Sequence, residues 1–282
     1  MIDDMQGHFI DEAYRVLLAL LQVRAAALQS PQTVPTAHVA TDHASTALAA
    51  ARRALELADE DARISYPVER DYVRAHWLLG AAHRVNGVPA SAREQQFAAA
   101  EQHLTEALTR CRSINLVDHE ADILLELARL RATTGNRTAA LGLAQEALTI
   151  TERCGYVLPG ADVHLVLAGM YAGLDHEMGT LDHEGRESER ETREMGALDH
   201  ESRESERERR EMGTLDHEGR ESEHESRERE RERCERREQA LGYARAARRL
   251  ATCDGLPDYT YRVAYDEAGH LLTRLGEPPT DG

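Results

Sequence analysis

The chain contains no lysine: all 34 of its basic residues are arginine. That absence excludes whole classes of chemistry. A Walker-type phosphate loop needs its lysine, a kinase-like site needs a strand lysine, and a pyridoxal enzyme needs a lysine to form the Schiff base. Aromatic residues are also scarce, at 4% with a single tryptophan, Trp77, so a core must be built from Ala and Leu, which favours closely packed helices. The cysteines are few as well. Cys111, Cys154, Cys234 and Cys253 lie 43, 80 and 19 residues apart with no CxxC pair, a spacing that suits neither a structural zinc site nor a disulfide framework.

Long apolar runs are missing too. The stretch "VLLALL" is soon broken by Gln22 and Arg24, and the opening "MIDDMQGHFIDE" is acidic where a secretory leader would be basic. The expectation is a reduced, cytoplasmic protein with no membrane partner. The formal charge of −17 repels phosphate backbones, so no nucleic-acid partner is expected.

What the sequence does contain is a register of small residues. Three segments end alike, in "AAAEQHLTEALTRC", "AALGLAQEALTITERC" and "QALGYARAARRLATC". In them Ala100 and Ala107, Ala140 and Ala147, and Ala240 and Ala247 are each seven residues apart, with Leu104, Ala144 or Ala244 between them. Seven residues is nearly two helical turns, so each set shares one helix face and lets a neighbouring helix approach closely. Upstream, "STALAAARRALELADE" repeats the pattern with Ala47, Ala51 and Ala54, after a helix from about Phe9 and a loop at Pro31 and Pro35.

Before each such helix comes a second motif. Leu79 and Gly80 are followed by His83 and Gly87, Leu127 and Ala128 by Arg131 and Gly135, and Leu167 and Ala168 by Tyr171; a partial copy has Ala268, Gly269, Leu272 and Gly276. The distances Ala107 to Leu127 and Ala147 to Leu167 are both 20 residues. The pattern resembles tetratricopeptide repeats, helix-turn-helix units that stack into a solenoid. The fold class implied is all-α, a solenoid of antiparallel helix hairpins. The arrangement also looks like the repeat arrays attached to bacterial signalling ATPases of the STAND type, without the ATPase module. His83 and Arg131 stand where that family has an aromatic or large residue, and the segment "VPASAREQ" lengthens the first full hairpin.

The third hairpin is interrupted. Ala168 to Ala240 spans 72 residues, where the middle hairpin has 12 from Ala128 to Ala140. The excess contains a 17-residue unit opened by Met178, Met195 and Met212. Successive copies fall about 100° out of helical phase, so Leu181, Leu198 and Leu215 make no continuous stripe and a coiled coil is disfavoured. Pairs such as Glu223 and Arg227 favour helix, whereas Gly179, Gly185, Gly196, Gly213 and Gly219 oppose it. Short solvated helices between glycine breaks, or disorder, are expected. The organisation is thus an N-terminal helix and loop over 1–35, hairpins over 36–177, the Glu/Arg-rich insertion over 178–236, a completing and a capping helix over 237–276, and a tail over 277–282.

Few residues suggest chemistry. The "LDHE" phrases set His176, His183, His200 and His217 beside carboxylates, but at spacings that do not converge on one ion. Cys111, Cys154 and Cys253, near the ends of second helices, are expected to be buried as small hydrophobes, without the adjacent base a nucleophile needs. No catalytic residue, metal or cofactor is assigned. The resemblance implies a noncatalytic scaffold binding a protein or peptide along the first helices. Carried over position by position, the groove would take Arg74, Trp77 and Arg84, then Asp122, Leu125 and Arg129, then Asp162 and Leu165. Trp77 between arginines would be an anchor. The alternative makes the charged insertion the working element, as a spacer or electrostatic tether.

Overall fold

The computed structural model describes residues 2–29, 35–87, 93–173, 208–253 and 260–277. All regular structure among them is helical: α1 (Ile2–Gln29), α2 (Pro35–Ile64), α3 (Glu69–Asn86), α4 (Arg93–Ser113), α5 (Val117–Thr133), α6 (Arg137–Cys154), α7 (157–173), α8 (Glu208–Ala251) and α9 (Arg262–Arg274). The chain divides into two compact units, one formed by Met1–Leu167 with Tyr243–Gly282, the other by Ala168–Gly242. The first unit is a helical repeat in which α1 packs on α2, α3 on α4 and α5 on α6.

The small residues do the packing that their register predicts. Ala100, Ala107, Ala140, Ala144, Ala147, Ala240, Ala244 and Ala247 are all fully buried. Gly80 belongs to the same scheme, since a Cβ there would come within 2.5 Å of Leu104 Cγ and 3.2 Å of the Ala100 carbonyl oxygen. At that distance only glycine lets α3 and α4 meet without displacing a core leucine. Gly87 has a related role. Its φ is an ordinary −79°, but an added Cβ would strike the Phe97 ring at 2.2 Å.

Short turns keep the hairpins tight. Among the described residues five of positive φ follow helix ends, and four of them, Asn115, Gly135, Gly155 and Gly276, share one closure. Each is followed by the same closing bond, in which the next N–H reaches five residues back: Leu116 to Cys111, Asn136 to Arg131, Tyr156 to Thr151 and Glu277 to Leu272, all at 2.9 Å. This is the Schellman arrangement, which satisfies the terminal carbonyls and turns the chain back at once. Asn136 then caps α6 by accepting from the Ala139 N–H at 3.2 Å.

Two departures from the repeat pattern find partners on the second helices. His83 is buried, with Nδ1 2.6 Å from Gln96 Oε1. Arg131 donates to both carboxylate oxygens of Glu101, tying α5 to α4. The cysteines divide differently from the expectation. Cys111 is buried and donates to the Leu116 carbonyl at 3.0 Å, whereas Cys154 is exposed and Cys253 partly so. Cys154 is the last residue of α6, at the turn that Gly155 makes in the left-handed region, beyond the buried stripe of Ala140, Ala144, Ala147 and Thr151.

Of the insertion, 178–207 lies outside the described residues. From Glu208 the chain is helical through Gly213 and Gly219 without a break. A helix already nucleated on a packed segment extends at little cost, and dense Glu and Arg favour that extension. Among the described residues no helix is long and apolar enough to cross a membrane.

Candidate functional site

The face of α5 explains where charge gathers. In "VDHEADILLELARL" the spacing sets Asp118, Asp122, Glu126 and Arg129 close together on one side of the helix. The matching face of α3 carries Arg70, Arg74 and Arg84. Between the two helices runs a ladder: Arg70 Nη2 to Asp118 Oδ2 at 3.0 Å, Arg74 Nε to His119 Nε2 at 3.3 Å, and Arg84 Nε to Glu126 Oε2 at 2.8 Å. Arg129 takes the other oxygen of Glu126 at 2.5 Å.

Burial alone would raise the pKa of Glu126, but Arg84 and Arg129 overcome it and hold the carboxyl down at about 2. Burial likewise opposes the charge on Arg129, and Glu126 restores it. The Glu126 side chain is only 9% exposed, against 19% for Arg84. This is a desolvated triad whose members need one another.

A second cluster joins elements far apart in sequence. Arg24 of α1 makes five hydrogen bonds through its five N–H groups. Nε and Nη2 reach Glu267 at 3.0 and 2.6 Å, Nη1 and Nη2 reach Asp162 at 3.2 and 2.8 Å, and Nη1 reaches Tyr261 Oη at 2.8 Å. Tyr261 in turn donates to Asp162 Oδ2 at 3.1 Å. Burial works against the Arg24 charge, yet Glu267 and Asp162 raise its pKa further. Burial, then Asp162, raises that of Tyr261.

Asp122 lies between the clusters and belongs to neither. It has no hydrogen bond or ion pair among the described residues. Burial and the nearby Asp162 and Glu126 raise its pKa to about 7, against the weaker opposing pull of Arg129. Near neutral pH this carboxyl is therefore divided between its acid and its anion.

The eight groove candidates thus fall into four groups. Arg84, Asp122, Arg129 and Asp162, from α3, α5 and α7, belong to one electrostatic network. Arg74 lies further along α3, on His119. Leu125 and Leu165 are buried at 2% and 6%, the latter in a core with Ala161, Ala247 and Ala264. Trp77 packs against two neighbouring cores, one of α1 to α3 and one of α3 to α5. Its ring meets His119 edge-on at 5.8 Å.

Arg24, Tyr261 and Glu267 are residues the repeat pattern missed. A signal existed, since Arg24 interrupts an apolar helix face in "LLQVRAAAL", as Glu126 does in "ILLELARL".

A histidine stack lies apart from this face. His103 on α4 sits between His76 and His83 of α3, with ring centroids 5.2 and 5.6 Å away. The Nδ1 atoms of His76 and His103 are 3.0 Å apart. Among the described residues no group of three or more His, Cys, Asp or Glu could hold a metal ion. The "LDHE" histidine side chains lie outside the described residues. Burial first, then Glu120 and Asp118, pushes the Cys111 thiol up to about 12, far from nucleophilic character.

No protein-family model matches the chain, and no curated protein does.

Proposed function

We propose that the chain is a noncatalytic interaction module of the tetratricopeptide kind, which binds a protein or peptide along the inner faces of α3, α5 and α7. The observation that supports this reading is the gathering of Arg84, Asp122, Arg129 and Asp162 on those faces, with hydrogen-bonding capacity left over at Asp122. Charged side chains held by one another on a rigid helical frame are preorganised, and binding then costs little side-chain entropy. The reading rests on these polar groups rather than on Trp77, whose indole packs into two cores. A cytoplasmic sensor or scaffold role, like that of the repeat arrays carried by signalling ATPases, follows from the sequence resemblance.

The test is capture of partners on the intact chain, followed by hydrogen exchange of each complex. Protection along α3, α5 and α7 is the expected result. Protection confined to the Glu/Arg-rich part of α8 would make the insertion the working surface and overturn the reading.

A further inference from the structure

Arg24 sits on a part of α1 that is only lightly packed. Phe9, Ala13, Val16 and Ala19 anchor the earlier turns of that helix in apolar clusters with α2 and α3. From Leu21 to Leu28, by contrast, every residue keeps some exposure and none belongs to those clusters. On the other side, α9 buries Ala264 and Ala268 against α7 and α8. Arg24 crosses between these separate sets of apolar contacts. It donates two hydrogen bonds to Glu267, two to Asp162 and one to Tyr261 Oη, at 2.6 to 3.2 Å, and its guanidinium lies 5.8 Å from the centre of the Tyr261 ring. The side chains of Arg24, Asp162 and Glu267 all keep contact with solvent, so water can replace each bond as it breaks.

We propose that the last two turns of α1 are a latch. Held down, Arg24 occupies Asp162 and Glu267 and closes α1 onto α7 and α9. Released, it frees both carboxylates, while the apolar clusters on either side stay whole. Local opening of this kind is drawn from the least buried segments of a fold, and 21–28 is such a segment. Because Asp162 is also part of the network proposed to meet a partner, the held latch is an autoinhibitory contact, a step that rests on the interaction-module reading above and deepens it. A ligand that needs Asp162 free binds the released state better and so shifts the latch towards release.

Hydrogen exchange on the full chain, read by mass spectrometry, compares wild type with Arg24→Gln and Glu267→Gln. In Arg24→Gln the amides of 21–28 are expected to exchange roughly tenfold or more faster than in wild type, with α3 to α6 unchanged. Glu267→Gln keeps the cation and one carboxylate, and should accelerate the same segment by a smaller factor; it decides the matter if Arg24→Gln does not fold. Unchanged exchange over 21–28 would show that other contacts hold the segment. Equal acceleration in α3 to α6, or loss of the fold in both variants, would make Arg24 a tie of the whole fold. Any of these results overturns the latch. Peptides selected from a phage-displayed random library on Arg24→Gln should bind wild type roughly tenfold or more weakly. Affinities within about twofold of each other would overturn the autoinhibition and leave the interaction-module reading standing. A library with no binder to any of the three proteins would overturn that reading, with the exchange still deciding the latch.

Discussion

Arg24 and Glu267 meet through two parallel hydrogen bonds, 3.0 and 2.6 Å long, across 243 residues of sequence. The bond pair ties α1 to α9, and Asp162 of α7 joins it from the other side of the guanidinium. With the side chains of Arg24, Asp162 and Glu267 only 20%, 17% and 21% exposed, removing the cation would leave two carboxylates facing each other with little water. Arg24→Ala is expected to destabilise the chain by about 3–5 kcal/mol. Tyr261→Phe, which removes one donor and one acceptor from the same cluster, should cost only about 1 kcal/mol. Urea unfolding of both variants checks this. A loss below about 1 kcal/mol for Arg24→Ala would mean that the bridge does not hold α1 and α9 together in solution.

That bridge also marks where reading the sequence stops. The hairpins were legible because close helix packing leaves a local trace: Ala100 and Ala107, or Ala140 and Ala147, recur at a spacing that needs no knowledge of the partner helix. The histidine and arginine at the expected large positions, His83 and Arg131, were visible as departures but not as contacts with Gln96 and Glu101. Arg84, Asp122, Arg129 and Asp162 were reached by a different route, the position-by-position resemblance to tetratricopeptide repeats, which named them without their partners. Arg24 and Glu267 were not, because their pairing depends on how the rotations between successive hairpins add up, and no single interval in the sequence records that sum.

The stacked histidines predict an acid-labile hairpin. Burial lowers the pKa of His76 and His83, and burial together with the neighbouring His76 and His83 takes His103 down to about 4. The unfolded chain, with histidines near their usual 6.5, binds more protons than the folded chain below that pH, so stability falls as pH drops from about 6.5 towards 4. Glu106 and Asp59 near His76 soften the effect, while Arg110 and Arg52 add to it. His103→Asn should flatten this limb relative to wild type in thermal unfolding followed over that range. An unchanged slope would show that the three rings do not share the site in solution.

Two glycines should answer oppositely to the same substitution. Gly80→Ala gains about 1 kcal/mol of helix propensity, but its methyl must displace Leu104 from 2.5 Å, and overpacking of that kind costs about 1–3 kcal/mol. A net loss is expected. Gly142 lies inside α6, with nothing within 4 Å of an added Cβ, so Gly142→Ala should stabilise by about 0.5–1 kcal/mol. Melting temperatures moving in the same direction for both would contradict the close approach of α3 and α4.

The last prediction concerns the stability cost of one carboxyl. Folding raises the Asp122 pKa from 3.8 to about 7, so the folded chain binds the proton more tightly than the unfolded one, and stability falls as pH rises through that interval. Its direction is opposite to that of the histidine stack. At about 1.4 kcal/mol per pH unit the displacement sets a ceiling of about 4 kcal/mol at alkaline pH, of which solvent relaxation should leave about 1–2 kcal/mol. Asp122→Asn removes the ionisation and keeps the shape. It should therefore match wild type at about pH 4 and exceed it by that margin at about pH 8, in urea unfolding at both values. If the asparagine variant is no more stable at alkaline pH, Asp122 is solvated or paired in solution.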